Sequence, residues 1–193
     1  MRIGQYQLRN RLIAAPMAGI TDRPFRTQCY EMGAGLTVSE MMSSNPQVWE
    51  SDKSRLRMVH VDEPGIRTVQ IAGSDPVEMA DAARINVESG AQIIDINMGC
   101  PVPKVTKNEA GSRLLLDPDK VYDVVSAVSK AISRPLTVKI RIGWDDDHLF
   151  AVANAKAIEA GGGAAVSMHA RTKAQAYTGN AQENWHWLKK LTE

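Results

Sequence analysis

Residues 136–142 read Leu-Thr-Val-Lys-Ile-Arg-Ile, and this pattern is the strongest indication of the fold class. Side chains alternate between the two faces of a β-strand, so the apolar residues share one face. The other face carries Thr137, Lys139 and Arg141. Both faces of a strand in a closed parallel barrel are buried, and a lysine and an arginine on the inner face therefore need a ligand or a polar partner.

The same alternation recurs in the neighbouring strand-length runs, each of which is followed by turn residues or a polar, helix-compatible segment. Strand followed by helix, repeated, predicts a parallel sheet. In each run a polar residue falls at the C-terminal end of the strand, where (β/α) barrels build their active sites. The inward polar pairs in the other runs are Thr68 and Gln70, Asp95 and Asn97, and Ser167 and His169.

The predicted fold class is α/β, a (β/α)8 TIM barrel that is incomplete, with about six of the eight strands present. Runs at 12–17, 36–40, 66–72, 91–97, 136–142 and 164–169 supply those strands, and residues 1–193 form one domain. The alternative is a doubly wound open sheet with polar residues at its strand ends. Residues 14–19 read Ala-Ala-Pro-Met-Ala-Gly, which is not the Gly-rich phosphate loop that such a sheet carries after its first strand.

Composition excludes several classes of protein. With 44% hydrophobic and 23% charged residues the chain is globular, and its net charge of +1 gives no global basic field, so any RNA would meet a local patch. No signal-peptide core or membrane-length apolar run occurs, which predicts a soluble, cytoplasmic protein without a membrane partner. Cys29 and Cys100 match no metal-binding spacing and are too few for a disulfide framework, so no metal is expected.

Four segments together resemble a known protein family: residues 14–26 (AAPMAGITDRPFR), 69–76 (VQIAGSDP), 95–105 (DINMGCPVPKV) and 138–144 (VKIRIGW). In order and spacing they resemble the tRNA-dihydrouridine synthases, most of all the bacterial B-type branch. The resemblance runs over the whole chain. MGCP after a strand ending in DIN is the specific signature, whereas a strand ending in APM is shared with other flavin barrels.

The resemblance implies an oxidoreductase that reduces uridine to 5,6-dihydrouridine in tRNA, with FMN at the barrel mouth and NADPH as electron donor. Cys100 matches the proton donor, and a thiol is mostly protonated at neutral pH and so can act as a general acid. Asn97 and Arg141 point inward above the flavin positions and are candidates for binding the uracil. The residues that match flavin contacts are Pro16, Met17, Ala18, Gln70, Lys139 and His169.

Each role has a structural alternative. An ammonium near the pyrimidine edge of reduced flavin would stabilise its negative charge, but Lys139 could instead form a salt bridge to Asp95. A cysteine can be a small buried hydrophobe, which is the interpretation preferred for Cys29. Asn97 could simply bond loop backbone.

Contact with tRNA is expected at loops on the face of the flavin mouth, because scattered cations there can meet phosphates. The candidates are Lys104, Lys107, Arg113, Arg171 and Lys173.

Two departures from the family stand out. The chain has His169-Ala170-Arg171-Thr172 where the family usually has His-Gly-Arg-Thr. The last two strands, with the FMN phosphate loops, and the C-terminal helical tRNA-binding domain are expected to be absent from these residues. Other hypotheses are therefore an inactive fragment with weak RNA binding, or another FMN barrel such as a dihydroorotate dehydrogenase.

Overall fold

The computed structural model describes residues 1–45, 47, 49 and 62–193, and its centre is a parallel sheet. The strands follow one another in chain order across the sheet, and every pair is parallel. They are β3 (Ile13–Ala14), β4 (Leu36–Val38), β6 (Arg67–Ala72), β7 (Ile93–Met98), β8 (Leu136–Gly143) and β9 (Ala165–Thr172), with the short β5 (Met42–Ser43) beside β6.

Helices connect the strands, and aspartates begin three of them. Asp22, Asp75 and Asp117 each accept backbone N–H bonds at a helix start and precede a proline in the first turn. Among the described residues the α-helices are Arg23–Glu31, Pro76–Glu88, Pro103–Thr106, Pro118–Ala131, Ala151–Ala160 and His186–Lys190, and 3-10 helices cover Gly111–Leu116 and Ala181–Asn184.

The main core lies between the outer face of the sheet and these helices. Ile71, Ile96 and Val138 pair in register and point outward, where they are fully buried. From the helix side Met79 and Val124 fill the same cluster. This core follows from the apolar parity of the strands, since a parallel sheet buries its outer face under the crossover helices.

A second, smaller core closes the N-terminal end of the inner face, and the sequence did not predict it. The antiparallel hairpin of β1 (Arg2–Ile3) and β2 (Tyr6–Gln7) brings Ile3 and Leu8 against Leu36 and Ile93. All four side chains are nearly inaccessible to solvent. Apolar residues thus seal one end of the inner wall, and polar residues occupy the other.

The predicted fold class is confirmed as an incomplete (β/α) barrel. A doubly wound sheet reverses its strand order at a switch point, whereas the six main strands of the described part run in unbroken sequence order. At the β9 edge the inner-facing Ser167 is exposed. Within the described residues, no helix is long and apolar enough to cross a membrane.

The core predicts a contrast within one helix. Met79 is fully buried and Val77 is 69% exposed, both in Pro76–Glu88. Met79→Ala should lower the free energy of unfolding by about 2–5 kcal/mol, because it leaves a cavity against the sheet. Val77→Ala should change it by less than about 0.5 kcal/mol. Denaturant unfolding of both variants measures this, and equal losses would contradict the assigned core.

Candidate active site

Polar side chains form three successive rows on the inner wall, climbing toward the C-terminal ends of the strands. Strand register defines them, because Cα partners in parallel strands present side chains to the same face. The lowest row is Gln70, Asp95 and Thr137, the next is Asn97, Lys139 and Ser167, and the highest is Arg141 and His169. The predicted inward parity of these residues is confirmed.

The lowest row is centred on a buried carboxylate. Asp95 accepts hydrogen bonds from Gln70 Nε2 and from Thr137 Oγ1, both at 2.6 Å. Burial raises the pKa of Asp95, although these two bonds and the charge of Lys139 act in the opposite direction. The backbone N–H of Gln70 donates to Ser39 Oγ at 3.1 Å, so the row is anchored on β4 as well.

Lys139 projects from β8 into the wall above Asp95 and is half-buried. Burial lowers the pKa of Lys139, and the nearby charge of Asp95 partly restores it. Among the described residues no carboxylate lies within salt-bridge distance of its ammonium. The direct salt bridge to Asp95 considered above is therefore not formed, and the ammonium is available to an electron-rich ligand.

Asn97 ends its strand beneath the loop that carries Cys100. Its Oδ1 accepts from the backbone N–H of Gly99 at 3.1 Å and of Cys100 at 2.8 Å, and its Nδ2 donates to Gln70 Oε1 at 2.8 Å. The Cys100 carbonyl accepts from Ser112 N at 3.0 Å. Gly111 has a positive φ of 61°, and a Cβ there would lie 2.7 Å from that carbonyl oxygen, so only glycine fits beneath the loop.

Arg141 joins two loops at the barrel mouth. Its Nε donates to Gly99 O at 2.8 Å, and its Nη1 donates to Thr172 O and Ala176 O, both at 3.0 Å. The side chain is almost completely buried. Ala176 has a left-handed φ of 48°, an unusual conformation for alanine that this contact helps to hold.

His169 lies beside Arg141 at the top of the wall. Burial, followed by the charges of Arg141, Lys139 and Arg171, lowers the pKa of His169 to about 4. Its Nε2 lies 3.1 Å from Arg171 Nη1, and its ring centroid is 6.3 Å from that of Tyr177. The imidazole is thus neutral at physiological pH.

The loop after β3 carries Pro16, Met17 and Ala18 at the same end of the sheet. Met17 N donates to Thr21 Oγ1 at 3.0 Å, and Gly19 N donates to Glu40 Oε2 at 2.8 Å, which fixes the turn. Met17 and Ala18 are exposed. The structure therefore places these residues on the loop that follows β3, at the C-terminal end of the sheet.

The five basic residues expected to meet tRNA differ in their surroundings. Lys104 and Lys107 are exposed. Arg113 and Lys173 lie over the ring of Trp144, 5.3 and 4.3 Å from its centroid. Arg171 instead bonds the backbone carbonyls of Thr178 and Gly179 as well as His169.

Sequence reasoning missed Ser39, Glu40 and Tyr177. Glu40 is buried just after β4 and has the same parity as Val38, which pairs with the inward Thr68. The alternation rule applied to residues 36–40 would have found it. Tyr177 lies in a loop and follows no periodic pattern, so no local signal marked it.

Ala170, the departure from the family pattern, is accommodated without strain. It lies within β9, is buried and has no positive φ, so the added methyl group fits the strand. No group of side chains suited to hold a metal ion occurs in the described part of the chain. Within the described part of the chain, the site combines a buried carboxylate, an ammonium without a salt-bridge partner, a neutral imidazole and a free thiol around one mouth.

Comparison with known proteins agrees with this architecture. The family model described as dihydrouridine synthase matches residues 12–193. Over 182 residues the chain is 72% identical to tRNA-dihydrouridine synthase B of Salmonella typhimurium and 70% identical to that of Escherichia coli K12. Each match covers 94% of this chain and 57% of the relative, so the chain spans little more than half the length of these relatives.

Among solved structures, the carboxyl transferase domain of Rhizobium etli pyruvate carboxylase matches with a TM-score of 0.54. The match covers 93% of this chain and 34% of that one, and at 14% identity it shows similarity of fold alone. The family model, in contrast, spans nearly every residue and includes all three polar rows. This chain belongs to the dihydrouridine synthase family.

Proposed function

We propose that this protein takes part in the FMN-dependent reduction of uridine to 5,6-dihydrouridine in tRNA, with NADPH as electron donor. The observation that carries the proposal is the Lys139 ammonium on the inner wall, which has no salt-bridge partner among the described residues and lies in the row between the Asp95 layer and Arg141. Family membership supplies the reaction class. The geometry of the inner wall supports a position for the flavin ring and a position for the acid that protonates the uracil.

The residues present fit a flavin. Lys139 would face the pyrimidine edge of the ring, where a cation in a low-dielectric site stabilises negative charge. Gln70, whose amide is oriented by its bonds to Asp95 and Asn97, is the second side chain that would face this edge. Pro16, Met17 and Ala18 would lie along the ring from the β3 side. When bound, reduced FMN supplies the hydride.

Cys100 would hold the proton that reduction of the uracil double bond also requires. Its loop stands at the mouth, and the thiol is unpaired and partly accessible. Adding hydride to one carbon of the double bond leaves negative charge at the other, so a positioned acid must protonate it in a site that excludes water. The Sγ proton of Cys100 is the one proposed to move.

The uracil would be held from above by Asn97 and Arg141. After the bonds described above, Asn97 retains one amide N–H and Arg141 retains the two hydrogens of Nη2, which suit carbonyl oxygens. His169 would present a neutral imidazole, able to donate from one nitrogen and accept at the other. Exposed Lys104 and Lys107, with the cations beside Trp144, would meet tRNA phosphates.

Lys139→Met tests the flavin role. Removal of the charge should weaken FMN binding by about 1.5–3 kcal/mol, the usual worth of a hydrogen bond to a charged group. It should also lower the midpoint potential, because the reduced, more negative ring loses stabilisation. Flavin titration and spectroelectrochemistry measure both, with Lys130→Met on helix Pro118–Ala131 as the matched control. Unchanged affinity and potential in Lys139→Met would contradict the proposal.

Cys100→Ala tests the acid. Oxidation of pre-reduced flavin by tRNA in a single turnover should slow by about 10²- to 10⁴-fold, the usual contribution of general acid catalysis. Reduction of the flavin by NADPH should stay near the parental rate, and Cys100→Ser, a far weaker acid, should recover little. Cys29→Ala, in helix Arg23–Glu31, is the control. Parental rates and dihydrouridine yield in Cys100→Ala would assign the cysteine a structural role instead.

His169 should remain neutral through the physiological range. With its pKa lowered to about 4, the folded protein binds no proton here between pH 5 and 8, whereas the unfolded chain protonates below about 6.5. Stability linked to this residue should therefore fall as the pH drops from about 6.5 toward 4. An NMR titration of the imidazole should show no transition above pH 5, and a midpoint near 6.5 would refute this.

A further inference from the structure

We propose that Asp95 is a positioning residue that holds the Cys100 loop in place through the side-chain amides of Gln70 and Asn97. The inference rests on the proposed function only for the chemical role of Cys100 as an acid. The hydrogen-bonded connection itself involves only residues of this chain.

The connection runs from the lowest row of the inner wall to the mouth. The N–H of Cys100 donates to Asn97 Oδ1 at 2.8 Å, Asn97 Nδ2 donates to Gln70 Oε1 at 2.8 Å, and Gln70 Nε2 donates to Asp95 Oδ2 at 2.6 Å. Every donor faces the same way, from the loop down to the carboxylate. The three side chains come from two adjacent strands, β6 and β7.

The carboxylate sets this direction. Both oxygens of Asp95 accept hydrogen bonds, Oδ2 from Gln70 Nε2 and Oδ1 from Thr137 Oγ1, so Gln70 must turn its NH2 group toward Asp95 and its oxygen away. That oxygen in turn requires the NH2 group of Asn97. Asn97 Oδ1 is then left facing the loop, where it accepts from both Gly99 and Cys100. One acceptor-only group thereby fixes the orientation of two amides and the anchor of the loop.

Burial makes the arrangement strict. Gln70 and Asp95 are almost inaccessible, so a flipped amide would leave a donor facing a donor with no water to relieve it. Asp95 is itself held by Thr137 through its other oxygen. The hydrogen bonds that the backbone N–H groups of Gly99 and Cys100 donate to Asn97 therefore depend on Asp95.

The carbonyl side of the same loop has separate anchors. Arg141 Nε donates to Gly99 O, and Ser112 N donates to Cys100 O. Loss of the Asp95 charge should therefore loosen the loop on its N–H side without releasing it. For a general acid this matters, because proton transfer depends on the position of Sγ relative to the carbon that it protonates.

Asp95→Asn tests the inference, since it preserves shape but can donate as well as accept. Amide hydrogen exchange at Gly99 and Cys100 should accelerate about tenfold, in keeping with the loss of one buried hydrogen bond. The rate of Cys100 alkylation, measured in a Cys29→Ser background, should change together with this exchange rate. Thr137→Val is the control, because it removes a bond to Asp95 but leaves the carboxylate to orient Gln70. Exchange in helix Pro118–Ala131 reports on global folding.

A rescue variant keeps the test decisive if Asp95→Asn folds poorly. In Asp95→Asn/Gln70→Glu the new carboxylate at position 70 accepts a hydrogen bond from Asn97 Nδ2. The group that can only accept then contacts Asn97 directly and restores its orientation. Exchange at Gly99 and Cys100 should return to within about twofold of the parent. Parental exchange in Asp95→Asn, or failure of the double variant to restore it, would overturn the inference. Because exchange needs no flavin, an active Cys100→Ala enzyme would refute the proposed role of Cys100 as the acid and leave this result standing.

Discussion

Burial of the outer faces of the central strands is the constraint on which the site depends. Ile71, Ile96 and Val138 must stay against the helices, and side chains along a strand alternate with a period of two. A slip of one residue in β8 would drive Lys139 and Arg141 into the apolar layer and turn isoleucines inward. The apolar core therefore fixes the register, and the register fixes every polar row of the inner wall.

The same period explains how much the sequence could predict. Alternation is local, so it located Gln70, Asn97, Lys139 and Arg141 on the inner face without any knowledge of their partners. The N-terminal hairpin was not predicted, because its two-residue strands carry little local signal. It is stabilised instead by tertiary contacts of Ile3 with the barrel wall.

Partners were harder to predict than positions. The uracil-binding role of Arg141 stays a prediction, but the sequence did not predict its hydrogen bonds within the described residues, which go to the carbonyls of Gly99, Thr172 and Ala176. These carbonyls belong to loops whose conformations are set by tertiary packing. Asp95 was considered only as a partner of Lys139, whereas it bonds Gln70 and Thr137. The sequence places such groups on one face but does not determine which of them meet.

The electrostatics of the mouth follow from this pairing. In the lowest row, Asp95 accepts hydrogen bonds from the neutral side chains of Gln70 and Thr137. The charges of Lys139, Arg141 and Arg171 lower the pKa of His169. Positive potential is therefore concentrated in the upper rows, where no described carboxylate lies within salt-bridge distance of Lys139, Arg141 or Arg171. A net charge of +1 for the whole chain conceals this local field. Such a field favours an electron-rich ring or a developing anion.

The anchoring of the Cys100 loop separates structure from chemistry at this residue. Its N–H and carbonyl are both bonded, by Asn97 Oδ1 and by Ser112 N, whereas its Sγ has no hydrogen-bond partner among the described residues. Hydrogen bonds thus hold the backbone of Cys100 in place and do not involve its thiol. Replacing the side chain removes no anchor that the loop requires, so a loss of reaction on such replacement reports on the chemistry of the sulfur rather than on displacement of the loop.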